Sequence, residues 1–134
     1  MTTVTLPVRF ETSARGRRRL QVGHAPPPPL GRVPRVARLM ALAIKFEAML
    51  ADGVVANQAE LAAVGHVTRA RVTQIMNLLH LAPEIQEAIL FLPRVVEGRD
   101  PITEHDLRPI AAEIDWGRQR AAWERLNTRT KSEG

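Results

Sequence analysis

Asn57-Gln-Ala-Glu-Leu-Ala-Ala-Val-Gly-His-Val-Thr-Arg-Ala-Arg-Val-Thr-Gln-Ile-Met-Asn-Leu-Leu79 is the stretch that decides the fold. Asn57 has the side chain to cap a short helix over Gln58–Val64, and Glu60 at its third position completes a capping box. Gly65-His66-Val67 reads as a turn. Thr68 caps a second helix over Arg69–Leu79, with Val72, Ile75, Met76 and Leu79 as its buried stripe. Ala62 faces that helix where little room exists, and Leu61, Val67, Val72 and Ile75 form the small core that sets the helices near a right angle. The spacing predicts a helix-turn-helix, whose second helix lays its N-terminal end against base edges in the major groove.

The first turns of that second helix offer Arg69, Ala70, Arg71, Thr73, Gln74 and Asn77. Arginine pairs bidentately with guanine, and Gln or Asn with adenine. The expected contact set is Thr68, Arg69, Arg71, Thr73 and Gln74, with Gln58 and Asn77 beside them and Thr68 mainly on phosphate. The competing reading is a solvated helix face behind a capping threonine, since such helix pairs also build protein–protein modules. One position is unusual. Helix-turn-helix motifs place Gly in the left-handed conformation just before the Val-Thr pair, but here that residue is His66 and Gly65 precedes it. Either His66 takes the positive φ, which His tolerates better than bulky apolar residues, or the turn shifts by one and Gly65 takes it.

Outward from the motif, helical patterning continues. Pro34 fits a first helical turn, and Val36, Leu39, Met40, Ala43, Ile44, Phe46 and Leu50 make an apolar stripe that Asp52-Gly53 ends. Pro83 opens a helix over Glu84–Leu92, with Ile85, Ala88, Ile89 and Leu92 inward. Thr103 caps a helix over Glu104–Ile114 that must kink or break at Pro109. A last helix spans Trp116–Asn127, with Trp116 and Trp123 on one face beside Ala122 and Leu126. That face serves core packing or a partner surface. Thr128–Gly134 reads as a frayed polar tail.

Before Pro34 the character changes. Val4, Leu6, Val8 and Phe10 alternate as a strand, Ser13–Gly16 is a turn, and Leu20–Val22 can return as a hairpin. Pro26–Pro29 is a stiff spacer. The expected fold is mainly α, a bundle of about five to six helices with an N-terminal β-hairpin arm. Its parts are a basic arm over 1–25, a Pro-rich linker over 26–33, a helical domain over 34–127 and the tail over 128–134.

Charge follows the same division. The 134-residue chain carries a formal net charge of +5, but residues 1–39 hold 8 Arg against the single acid Glu11. The rest, with 11 basic and 13 acidic residues, is slightly negative. Arg15, Arg17, Arg18 and Arg19 at the hairpin tip can enter a minor groove or grip phosphates. As readily, they protect a strand edge as a soluble charge cluster.

The stretch Gln58–Leu79, with Leu81-Ala-Pro-Glu-Ile-Gln-Glu-Ala-Ile89 after it, resembles the central helix-turn-helix of ParB/KorB-type DNA-binding proteins. The likeness covers roughly residues 55–92. The arginine-rich nucleotide-binding motif and the N-terminal enzymatic domain of full ParB proteins are not seen, so the resemblance does not imply CTP hydrolysis. The long helix Arg35–Leu50 and the chain as a whole also resemble small helix-turn-helix proteins of bacterial mobile elements found beside site-specific recombinases. The resemblance implies a transcriptional regulator or an accessory factor of such an element, cytoplasmic and nucleoid-associated, with double-stranded DNA as partner. It also admits a homodimer or a recombinase.

Enzymatic chemistry has little to stand on. The chain has no cysteine, no Gly-rich phosphate loop, no nucleophile elbow and no His-x-x-x-His pair. Glu104-His105-Asp106 is a charged helix start rather than a metal site, because consecutive helical residues point apart. No cofactor or metal is expected. No signal peptide is visible, and the longest apolar run, Leu39–Ile44, is too short for a membrane span. The rival function is a protein–protein adaptor, for example of a recombinase, that touches DNA only through its arm. RNA binding is disfavoured, since no Tyr and only 3 Phe are available for base stacking.

Overall fold

Pro34 opens the first of six α-helices in the computed structural model, which describes residues 30–133. The helices are α1 (Arg35–Ala51), α2 (Gln58–Gly65), α3 (Arg69–Met76), α4 (Pro83–Leu90), α5 (Glu104–Ala112) and α6 (Trp116–Glu133). A 3₁₀ turn, Asn77–His80, follows α3. The protein is thus mainly helical, and the described residues contain no strand. The hairpin, the Arg15–Arg19 cluster and Pro26–Pro29 lie outside the described residues.

α1 carries no capping side chain of its own. A distant carboxylate does the work: Asp100 Oδ2 accepts the Arg35 N–H at 2.9 Å, and Asp100 Oδ1 pairs with Arg32 at 2.7 Å. Val36, Leu39, Met40, Ala43 and Phe46 are buried, whereas Ile44, read as part of the stripe, sits at its edge, 37% exposed. The helix ends as Asp52-Gly53 predicts. Gly53 has φ 75°, and the Val54 and Gly53 N–H groups donate to Met49 and Leu50 carbonyls, a Schellman ending.

Asn57 caps α2 by accepting the Glu60 N–H, but Glu60 reaches back to the Ala56 N–H, one residue before the cap. Gly65 stays helical, and His66 takes the left-handed turn at φ 56°, ψ 41°. Nothing about Gly65 demands glycine, since an added Cβ there would meet only Val67 Cγ2 at 3.7 Å. α3 is shorter than the Arg69–Leu79 reading, because its last turn tightens into the 3₁₀ segment before Pro83. Pro83 opens α4, which stops at Leu90 rather than Leu92. α5 has a full capping box between Thr103 and Asp106, runs through Pro109 without a break and ends at Ala112, two residues early.

α6 overturns the frayed tail. It continues past Asn127 to Glu133, where Arg129 and Lys131 are good helix formers. Asp115 caps its start by accepting the Gly117 N–H. Residues 30–33 are not free of the body either. Arg32 and Val95 exchange both backbone hydrogen bonds, at 3.0 and 2.9 Å, and Arg32 also donates to the Gly98 carbonyl. One buried cluster unites all six helices, from Val36 on α1 through Leu61, Val72, Ile85 and Leu107 to Trp123 and Leu126 on α6.

At the centre of the polar framework is Gln119, fully buried on α6. Its Oε1 accepts the Ala82 N–H at 2.8 Å, and its Nε2 donates to the His80 and Glu113 carbonyls at 3.1 and 2.7 Å. One amide thereby satisfies the end of the 3₁₀ turn, the start of α4 and the end of α5.

Candidate nucleic-acid interface

The two short helices meet through Leu61 and Ala62 on α2 and Val72 and Ile75 on α3, all buried. Val67, read as a core residue, is 41% exposed. Thr68 sits at the α3 N-terminus, where its Oγ1 accepts the Arg71 N–H at 3.0 Å. That bond leaves its hydroxyl proton free to donate. Arg69, Thr73, Gln74 and Asn77 are exposed, as is Ala70. Thr73 Oγ1 donates to Gln58 Oε1 at 3.1 Å, so two of the expected contact residues are joined across the motif. Arg69 has no ion-pair partner among the described residues.

Arg71 is placed differently. Its guanidinium turns toward α5 and grips the Glu104 carboxylate by two bonds, Nη1 to Oε2 at 2.6 Å and Nη2 to Oε1 at 3.0 Å. Nη1 also donates to Gln74 Oε1 at 3.1 Å. Arg108, one turn along α5, adds a weaker contact to Glu104 at 3.3 Å. The Glu104 carboxyl titrates below its usual range, chiefly because Arg71 donates to it, against the opposing effect of burial. The same bonds raise the Arg71 guanidinium. An open groove of about 340 Å³ runs between α3 and α5, with Gln74, Asn77, His80, Glu104 and Arg108 on its walls.

No family model, curated protein or solved structure matches this chain.

Glu104 and Arg108 are the residues that sequence reading missed. Glu104 was legible only as an N-terminal acid on its own helix, and nothing local says that α5 lies against α3. His105 is exposed and Asp106 is engaged in the Thr103 capping box. Among the described residues, no group of three His, Asp or Glu side chains could hold a metal ion.

The two tryptophans part company. Trp123 and Leu126 are buried in the core, but Trp116, the first residue of α6, is 46% exposed. It borders a shallow depression with Ile44, Leu90 and Phe91, the last 77% exposed. No helix among the described residues is long and apolar enough to cross a membrane.

Proposed function

We propose that this protein binds double-stranded DNA in a sequence-specific manner and reads the major groove with α3. The reading is supported above all by the α2–α3 pair itself. A threonine-capped helix leads with exposed Arg69, Thr73, Gln74 and Asn77, braced from behind by Gln58. These are the side chains that bond to base edges and phosphates. Residues 1–25, with Arg15, Arg17, Arg18 and Arg19, supply nonspecific grip on the DNA backbone through their charge. The role that goes with this binding is that of a transcriptional regulator or an accessory factor of a mobile element; the resemblance to ParB/KorB-type domains and to small helix-turn-helix proteins of mobile elements supports that reading.

Selection of bound sequences from a random duplex pool tests this directly. A preferred site that Arg69→Ala weakens by about tenfold or more supports α3 as the reader. Binding without sequence preference, unchanged in that variant, removes the assignment. A palindromic site would add that two copies bind together.

A second reading has its own observation. The exposed Ile44 on α1, Phe91 just after α4 and Trp116 at the start of α6 share a depression with the half-buried Leu90. It suits an adaptor that holds a protein partner, such as a recombinase or a second copy, while the arm touches DNA. Phe91→Ser would then abolish the protein contact and spare the DNA site.

A further inference from the structure

We infer that Glu104, which lies outside the helix-turn-helix, sets what α3 reads: it withholds Arg71 from the DNA and, through Arg71, turns Gln74 so that its amide nitrogen leads. The inference rests on the DNA-binding reading above and adds a residue to it. Three observations carry it. Arg71 follows the cap on α3, where a reading helix would use an arginine on guanine, yet its side chain is only 24% exposed. Both terminal nitrogens of its guanidinium are bonded, in a fork that matches the two oxygens of Glu104. The third bond from that guanidinium goes to Gln74.

The chemistry of the last bond fixes a direction. Arginine only donates, so the atom of Gln74 that faces it must be Oε1. The Gln74 NH₂ group is then the end left to point away from Arg71. A glutamine free to rotate grips adenine with both ends, accepting from N6 and donating to N7. A glutamine whose oxygen is already engaged offers donors first. It favours base edges that present acceptors, the N7 and O6 of guanine above all. The relay Glu104–Arg71–Gln74 thus exchanges a charged arginine contact for a neutral, oriented amide. Arg108 adds a contact to Glu104 Oε2, the oxygen that Arg71 Nη1 also holds. A side chain that α5 contributes would alter base preference with no atom on the DNA.

The full-length chain, wild type and Glu104→Gln, is put through the same random-duplex selection. Affinity for the wild-type site is then measured over a salt series. With Glu104 neutralised, Arg71 is freed to contact phosphate or base. The expected result is a changed preference at one base pair and a salt slope steeper by about one unit in log–log form. Arg71→Met, which cannot hold Gln74, is the second variant. It should change preference at the same base pair while leaving the salt slope as in wild type. Helix content by circular dichroism establishes that each variant is folded, and Glu104→Asp replaces any that is not. The shorter carboxylate keeps the charge and loses the two-point grip, so it should shift the same base pair. Wild-type preference and slope in folded variants overturn the relay and leave the DNA reading intact. A wild-type chain that selects no sequence overturns both.

Discussion

Gln119 on the last helix donates to the backbone carbonyl of His80, the residue that closes the turn after α3, at 3.1 Å. The side chain is wholly buried and its other bonds go to Ala82 and Glu113. Gln119→Leu fills similar space but leaves a buried N–H and two carbonyls unpaired. The expected loss is about 2–4 kcal/mol of stability, read as a lowered denaturant midpoint. A loss below about 0.5 kcal/mol would mean that the three helix ends find other partners.

His66 holds the left-handed turn between α2 and α3 with φ 56°. A residue with a Cβ pays strain there that glycine does not. His66→Gly should therefore stabilise the fold by about 0.5–1 kcal/mol, seen as a melting temperature several degrees higher. Gly65→Ala, one residue earlier in helical conformation, should stabilise too, by a similar amount from helix propensity. A turn that had shifted onto Gly65 would make that second change harmful.

Thr68→Ala removes the cap on α3 and should cost about 1 kcal/mol, with duplex affinity falling further than stability alone accounts for. Thr68→Ser, which keeps the hydroxyl, should restore both. A chemical denaturation curve and a binding isotherm on each variant separate the two effects.

Acid should act through Glu104 and Asp100. Both carboxyls titrate below their ordinary values of 4.5 and 3.8, Glu104 because Arg71 bonds to it and Asp100 because the Arg35 N–H does. A depressed carboxyl adds stability that is complete above its unfolded value and is lost as pH falls through the folded one. Stability should therefore drop below about pH 4.5, and less steeply in Glu104→Gln and Asp100→Asn. Thermal melts between about pH 6 and pH 3 measure the slopes; equal slopes in variants and wild type would contradict the ion-pair account.

Gly31 has φ 90°, and an added Cβ would lie 2.7 Å from the Val95 carbonyl oxygen. Gly31→Ala must push residues 30–32 off the 94–98 loop and break the Arg32–Val95 pairing. About 1–3 kcal/mol should be lost, checked by the same melts.

What the sequence made legible was chemistry that closes within four residues. Asn57, Thr68, Thr103, Pro83 and Gly53 each mark a helix end because a cap is a local bond or a local φ. Ends decided elsewhere were not legible. Asp100 caps α1 from 65 residues away, and Gln119 needs three helix ends brought together before its amide has partners. Periodicity over four residues does not tell an α-turn from the 3₁₀ turn at Asn77–His80, and so α3 reads too long. Polarity alone made residues 128–133 look frayed, although they are helical. In the candidate site, exposure of Arg69, Thr73, Gln74 and Asn77 followed from the helix stripe. The seat of Arg71 did not, because it depends on a carboxylate from another helix.

The brevity of α3 sets a limit on information. Eight residues make a rod about 12 Å long, enough to lie along roughly three or four base-pair steps. A four-letter word in a four-base alphabet holds about eight bits and recurs by chance about every 250 base pairs, against ~10⁶ or more competing sites in a genome. A unique address of that size takes about twenty bits. Under the proposed function one reading helix spells less than half of it. The remainder has to come from other chains on neighbouring half-sites, or from contacts the same chain makes beyond α3.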